Sequence, residues 1–323
     1  MKLLILDSHN PYLNLAIEEY LFRYSEDDVF MLWQNEPSVV IGKNQNAYAE
    51  INIELLRKHR VNPVRRITGG GAVYHDLGNV NYTFISAKQS EGIDFAYFTA
   101  PIIEALHSLG VSATLSGRND ILIEDKKISG NAQYSVNGRV LHHGTLLFDA
   151  SLDFLSSVLK VDEEKVKARA IKSTRSRVTN IRPYIREDMT VDGFIKKVSD
   201  FVIKKYSPEI IAAPVCDKIT ELMARNASEE WIFPKGEYLS GYSLIRKRKY
   251  PFGLVSISLD MNNDVISAVR IHGDFFGTAP IEELESILVG KRLTDISFLN
   301  IEVGDYIFGM TLNELSSLIM NGE

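Results

Sequence analysis

Residues 65–84 read RRITGGGAVYHDLGNVNYTF. NPVRRI (62–67) enters the glycine run with strand patterning, and VNYTFISA (80–87) leaves it as another strand. Gly69, Gly70 and Gly71 therefore connect two strands, and three consecutive glycines are costly unless the backbone must come close to something. Without side chains their N–H groups can approach a phosphate or carboxylate, and positive φ lets successive amides converge on an anion. No Lys-Ser/Thr pair follows, as it does in a Walker A loop, and the GxGxxG spacing of a dinucleotide fingerprint is absent. A tight loop between strands is the plain alternative. Arg65 and Arg66 alternate across the incoming strand, so one can face the loop's anion while the other points away. An isolated arginine pair is also commonly two surface charges.

Outward from this stretch, helix and strand patterns mix. LLIL and DDVFMLW read as strands, with a helix between them over NPYLNLAIEEYLFRYS, where Asn10 suits the N-cap and Pro11 the first turn. SVVIG is a strand, IELLRKH a short helix, and FAYFTAPIIEALHSLG an amphipathic helix stopped by Gly110. From Asp120 a β-meander is expected: DILIED, KKISGNAQYSV and RVLHHGTLLFDA, with Asn137-Gly138 forming a type I′ turn. Helical segments are expected from there to about Ala227. Beyond WIFPKGEYLSGYS, a hairpin (FGLVSISLDM, VISAVRIHGDF) and two short helices suggest a second α+β domain. The expected division is 1–240 and 241–323.

The chain has 323 residues, 45% of them hydrophobic and 24% charged, which suits a protein with a sizeable core. Its single cysteine, Cys216, cannot form an internal disulfide and suits a reducing compartment. The apolar run at the start is too short for a signal peptide or a membrane span, so a cytoplasmic location without membrane attachment is expected. A net charge of −6 argues against a dedicated nucleic-acid binder.

Three further clusters carry possible chemistry. In GRNDILIEDKKISGNAQ (117–133), Lys127 enters a strand just before Ser129 and Gly130. A lysine beside another lysine is often a solvated turn, yet a fixed ammonium suits a carboxylate that must approach a phosphate. In LHHGTLLFD the histidine pair His142-His143 reads either as core imidazoles or as part of a site; with His75 it matches no zinc spacing. The basic run KVKARAIKSTRSRVTN, with Lys165, Lys167, Arg169, Lys172, Arg175 and Arg177, is a solvated helix face or an anionic-partner patch ending in a polar loop.

Taken in order, Asn10–Glu19, VVIGKNQN (39–46), RRITGGGAVYHDLGN (65–79), GRND (117–120), KKISGNAQ (126–133), HHGTLLFDASL (142–152) and RSRVTN (175–180) closely resemble the lipoate–protein ligases. The resemblance covers essentially the whole chain. It implies an α/β (α+β) fold: a large catalytic domain of biotin/lipoyl-ligase type, distantly related to class II aminoacyl-tRNA synthetase cores, plus a small α+β C-terminal domain. It implies that lipoate is activated by ATP and Mg²⁺ to lipoyl-AMP. The lipoyl group then passes to a lysine of lipoyl domains in 2-oxoacid dehydrogenase subunits or the glycine-cleavage H protein.

Carried over motif by motif, the resemblance gives Lys127 the catalytic role of bridging the lipoate carboxylate and the α-phosphate. Arg66 would hold the lipoyl or adenylate group, with Gly69 and Gly70 shaping the loop. Gly71, Ala72, Val73 and Tyr74 would meet ATP through their backbone. His75 would sit beside the adenylate as a candidate base, and Asn119 and Asp120 fall where an adenine or Mg²⁺ contact is expected. His143 and Gly144 would line the acyl pocket. Members often carry an arginine shortly after the SGxA piece, where this chain has Gln133 and Tyr134.

Three other readings compete. An acyltransferase of the same fold would need a pocket cysteine, and Cys216 lies outside every motif. A biotin ligase would have a glycine-arginine loop unlike ITGGGAVYHD. A non-catalytic adenylate sensor would bind the intermediate without turnover.

Overall fold

The computed structural model describes residues 1–87, 93–117, 119–154, 177–234 and 241–321. Of the basic run, all but Arg177 lies outside the described residues, as does Arg118. The strands are β1 (Lys2–Ile5), β2 (Val29–Trp33), β3 (Ser38–Ile41), β4 (Asn62–Arg65), β5 (Val73–His75), β6 (Asn79–Ser86) and β7 (Thr114–Ser116). Then come β8 (Asp120–Ile123), β9 (Lys126–Val136), β10 (Arg139–Leu147), β11 (Glu209–Ile210), β12 (Leu244–Tyr250), β13 (Gly253–Asn262) and β14 (Val265–Gly273). Among the described residues the main sheet runs β11-β1-β2-β6-β10-β9-β8-β7, with a side sheet β4-β3-β5 and a C-terminal sheet β12-β13-β14.

Alternation along the central strands assigns the two faces of the main sheet. Phe30, Leu32, Val80, Tyr82, Phe84 and Leu146 point to one face, where helix α4 (Phe95–Ser108) and helix Val191–Tyr206 cover them. Met31, Trp33, Ile85 and Leu141 point to the other, under helix α1 (Pro11–Tyr24) and helix Asp217–Asn226. The Asn10 side chain accepts from the N–H groups of Tyr12 and Leu13, and Pro11 opens α1.

The meander turns are two-residue connections with both central residues left-handed: Glu124-Asp125 (φ 48°, 64°) and Asn137-Gly138 (51°, 73°). That is type I′ geometry, whose twist matches the flanking strands. Asn263-Asp264 in the C-terminal hairpin repeats it (49°, 64°).

Two expectations are corrected. The glycine run does not lead directly from one main-sheet strand to another: it joins β4 to the three-residue β5, both hydrogen-bonded to β3 in the side sheet, and only then does the chain enter β6. The helical reading also does not extend through residues 177–190. There Val178 forms a parallel bridge with Lys127, and a 3₁₀ turn spans Arg182–Tyr184. The backbone groups of this segment are paired sideways, with the N–H of Lys127 donating to Arg177 O (2.6 Å) and that of Thr179 to Lys127 O (3.0 Å).

A separate apolar core, including Val255, Ile257, Leu259, Ile271, Leu284 and Leu318, fills the C-terminal sheet-plus-helix domain. Its segment Gly273–Phe276 reaches the glycine run. The N–H of Gly70 donates to Phe275 O (3.2 Å), and that of Gly273 to Asn44 O (2.8 Å). Phe276, fully buried, packs on Phe95 with ring centroids 5.4 Å apart.

His272 sits in this contact. Burial, then Arg65 and Arg270, push its pKa down to about 4 from 6.5. Because the folded value lies below the unfolded one, the neutral imidazole contributes stability that is complete above about pH 6.5 and lost as pH falls toward 4. The thermal midpoint should therefore fall across that window, and His272→Gln should flatten part of the fall. An equally steep profile in the variant would exclude His272 as a source.

Candidate active site

On the α1 face of the sheet, a cleft enclosing about 640 Å³, its open mouth included, lies between the side sheet and strands β6, β9 and β10. Leu15, Trp33 and Val40 line one part, and Asn119, Lys127, Gly130 and Thr145 another. It brings together Arg66, Gly70, Gly71, Ala72, Val73, His75, Asn119, Lys127, His143 and Gly144 from four separate motifs.

The two arginines divide as strand alternation requires. Arg65 turns away from the cleft, donating to the carbonyls of Gly42, Lys43, Gln45, Trp231 and Ile232. Arg66 lines the cleft and is buried. Its Nε donates to Thr68 Oγ1 (3.0 Å), Nη1 to Val40 O (2.9 Å), and Nη2 to Gly69 O (2.7 Å) and Gly71 O (2.8 Å). Four of its five N–H groups are thus used within the protein, two of them on the glycine loop, which leaves one for a ligand. Burial lowers its pKa to about 10, with Glu18 opposing the shift, so it is a cation at neutral pH.

The glycines have different reasons to be glycine. A Cβ on Gly69 would lie 2.3 Å from Phe275 O, whereas one on Gly71 meets nothing within 4 Å. Gly70 has φ 89°, and its N–H is held by Phe275, so it is not part of a free anion nest. Gly69→Ala should lower unfolding free energy by about 1–3 kcal/mol, as overpacking does. Gly71→Ala should leave it within about 0.5 kcal/mol. Equal losses in urea titrations of the two variants would contradict this assignment.

Lys127 is aimed by an irregularity. In the pairing of β8 with β9, Ile121 faces Ser129 but Leu122 faces Lys127, so Ile128 is the extra residue of a bulge. The bulge shifts Lys127 onto the same face as Gly130, where a Cβ would lie 2.9 Å from its Nζ. The ammonium is 2.8 Å from the Asp120 carboxylate, and the lysine side chain is 34% exposed. Asn119 Nδ2 donates to Asn131 O (2.6 Å), and Asn131 Nδ2 to Asn119 O, which fixes the entry to β8 against β9.

The histidine pair splits across the sheet. His142 enters the α4 core, stacked on Phe98 at 5.1 Å, and burial holds its pKa well below the usual value. His143 faces the cleft, with Nδ1 2.9 Å from Glu18 Oε1 and Nε2 2.8 Å from Thr68 Oγ1. Glu18 also accepts from Thr83 Oγ1 (2.7 Å), which accepts from Trp33 Nε1 (3.0 Å). Every proton in the chain from Arg66 through Thr68 and His143 to Glu18 therefore has one direction that satisfies it. Gly144 contributes backbone to the cleft; a Cβ there would collide with Tyr82 and Asn131 Oδ1.

His75 is buried in the cleft wall, where burial pushes its pKa down to about 3. Tyr74 faces away, its ring against Phe154, so only its backbone is near the cleft. Sequence reasoning missed Glu18, Trp33, Thr68, Asn81 and Thr145. Glu18 had a signal: it falls on the buried stripe of α1 with Asn14, Leu15 and Leu21.

Residues 10–202 match the lipoyl protein ligase A/B catalytic domain family, and residues 240–319 match the bacterial lipoate protein ligase C-terminus family. The chain belongs to the lipoate–protein ligase family. Among its curated relatives, Lipoate-protein ligase LplJ of Bacillus subtilis is 38% identical over 300 residues, 90% of each chain. The P. falciparum LipL1 structure in complex with lipoate has a TM-score of 0.82 at 25% identity and covers 99% of both chains. A lipoate-protein ligase A structure bound with ATP has a TM-score of 0.60 at 28% identity, covering 72% of this chain and 98% of that one.

Among the described residues of this family member, no group of three or more His, Cys, Asp or Glu side chains could hold a metal. A nucleotide-borne Mg²⁺ asks less of the protein, since phosphates and water supply most ligands. Asp120 supplies the carboxylate paired with Lys127. Also among the described residues, no helix is long and apolar enough to cross a membrane.

Proposed function

We infer that this protein is an ATP-dependent lipoate–protein ligase. The observation that carries the reading is the placement of Lys127, the Arg66-held glycine loop and His143 around one cleft whose far part is apolar. The family relatives solved with lipoate and with ATP support the same substrates.

In the first step a lipoate carboxylate oxygen attacks the α-phosphorus of ATP. The bond from the α-phosphorus to the α,β-bridging oxygen breaks and pyrophosphate leaves. Two anions must meet, and the Lys127 ammonium in the cleft would offset their repulsion and stabilise charge in the transition state. The mixed anhydride is then attacked at its carbonyl carbon by a lysine amine of an acceptor domain. The carbon–oxygen bond breaks, AMP leaves, and the amine nitrogen loses its proton. Mg²⁺ carried on the nucleotide, with Asp120 as its protein ligand, would neutralise the phosphates.

Neither cleft histidine has a free lone pair for that proton. The Nε2 of His143 faces the Thr68 hydroxyl, and the Nδ1 of His75 faces the Asn35 amide. The acceptors we assign are lipoyl domains of 2-oxoacid dehydrogenase subunits and the glycine-cleavage H protein. The C-terminal domain, drawn as 241–323, bears on the reaction by holding Gly70.

A cysteine acyltransferase is disfavoured. Cys216 stands at the N-cap position of helix Asp217–Asn226 without a side-chain capping bond, and it does not line the cleft. The test is pyrophosphate release with ATP, Mg²⁺ and lipoate, followed by mass analysis of a lipoyl domain for the added lipoyl amide. Transfer without ATP would move the reading to the acyltransferase class.

A further inference from the structure

The apolar part of the cleft contains two polar atoms that the protein leaves without partners: His75 Nε2 and Asn81 Nδ2. Their residues are 4% and 2% exposed. Polar groups buried this deeply are nearly always hydrogen-bonded, so a pair in one cleft wall asks for a ligand acceptor.

The proton on His75 can be placed from its neighbours. Asn14 Nδ2 lies near the carbonyls of Ser8 (3.0 Å) and Gln34 (2.8 Å), so that atom is a donor, and it also faces Asn35 Oδ1 (3.0 Å). Asn35 must then present Nδ2 to His75 Nδ1, 3.1 Å away. The imidazole accepts at Nδ1 and therefore carries its hydrogen on Nε2. Asn81, which lines the cleft, accepts at Oδ1 from Asn79 Nδ2 (2.9 Å), and its own NH₂ is left without a partner.

The register places this pair away from Lys127. Trp33 pairs with Asn81, and Asn81 with Thr145, whose Oγ1 accepts from the N–H of Gly130 beside Lys127. At about 4.8 Å per strand, Asn81 lies roughly 10 Å across the sheet from Gly130. His75 is at the same end, its ring centroid 6.3 Å from that of Trp33. An acyl chain whose carboxylate lies at Lys127 reaches its first dithiolane sulfur after six bonds, roughly 8 Å, since a staggered bond about 1.5 Å long advances the chain by about 1.3 Å.

We propose that His75 Nε2–H and Asn81 Nδ2 form a sulfur-recognition pair that selects a dithiolane-bearing acid over the unsubstituted fatty acid of equal length. The proposal rests on the ligase reading above. Lipoate brings sulfur, a weak acceptor, to both donors; octanoate brings only methylene and methyl groups and leaves them unpaired. Sites that hydrogen-bond a substrate group reject the analogue lacking it because their own polar atoms are stranded. Sulfur against the Trp33 ring adds to lipoate binding but does not depend on His75.

The test compares lipoate with octanoate in the full-length protein, as kcat/KM for pyrophosphate release and as Kd by calorimetry. Variants are His75→Leu and Asn81→Val, with ¹⁵N NMR of His75 in the wild type. We expect each variant to cut the lipoate-to-octanoate ratio about tenfold, partly through tighter octanoate binding. The Nε2 resonance should shift with lipoate and stay near its free position with octanoate. An unchanged ratio in both variants, equal losses for both acids, or an Nε2 shift identical with the two acids would overturn the pair. Wild type that activates neither acid would instead overturn the ligase reading, and the selectivity with it.

Discussion

Lys127→Ala should lose at least ten- to a hundredfold in lipoate-dependent pyrophosphate release while remaining folded. The side chain is one-third exposed, and its only ion pair among the described residues is with Asp120, so its removal leaves no buried cavity. A charge-assisted hydrogen bond contributes about 1.5–3 kcal/mol net, which by itself corresponds to roughly ten- to a hundredfold in rate. Exclusion of water on ligand binding raises the figure. Lys127→Arg should recover little, because a planar fork cannot occupy the space beside Gly130 that a single ammonium fills. Single-turnover formation of the adenylate separates this step from transfer. If Lys127→Ala formed adenylate at the wild-type rate, the lysine would have no part in activation.

Arg66→Ala should be the most destabilising single change in the cleft. It would leave the buried carbonyls of Val40 and Gly69 without their donor, free the more exposed carbonyl of Gly71, and remove the proton that Thr68 accepts. One unsatisfied buried group costs about 1–3 kcal/mol, so a loss of several kcal/mol in urea unfolding is expected. Arg66→Lys should regain only part of this, because three donors from one point cannot reproduce a fork that meets acceptors on both sides. Activity should fall with stability, since the same contacts shape the loop. A folded Arg66→Ala protein within about 0.5 kcal/mol of wild type would show that the loop holds itself.

The parts of this molecule legible in its sequence are those governed by neighbours in the chain. Asn10-Pro11 set the start of α1, and Asn137-Gly138 set the hairpin, because caps and type I′ turns need particular residues at particular positions. The motifs also marked where chemistry lies: six of the seven contribute residues to one cleft. What the sequence hid was set by distant partners. Three-residue β5 is too short to show a period, and β12, LIRKRKY, is an exposed edge strand whose charges mask its alternation. The bulge at Ile128 that turns Lys127 inward exists only in the pairing with β8. The need for glycine at position 69 comes from Phe275, two hundred residues later in the chain.

That last contact bears on how such proteins can be recombined. The carbonyl of Phe275 fits against a bare Cα at Gly69 and takes the N–H of Gly70, so the two domains share a joint with a defined shape. A chimaera that grafts a foreign C-terminal domain onto this catalytic domain would inherit the nucleotide loop only if the graft ends its last strand with the same reach. Domain swaps should therefore succeed or fail on the few residues from Gly273 to Phe276, with overall similarity of the grafted domain a poor guide.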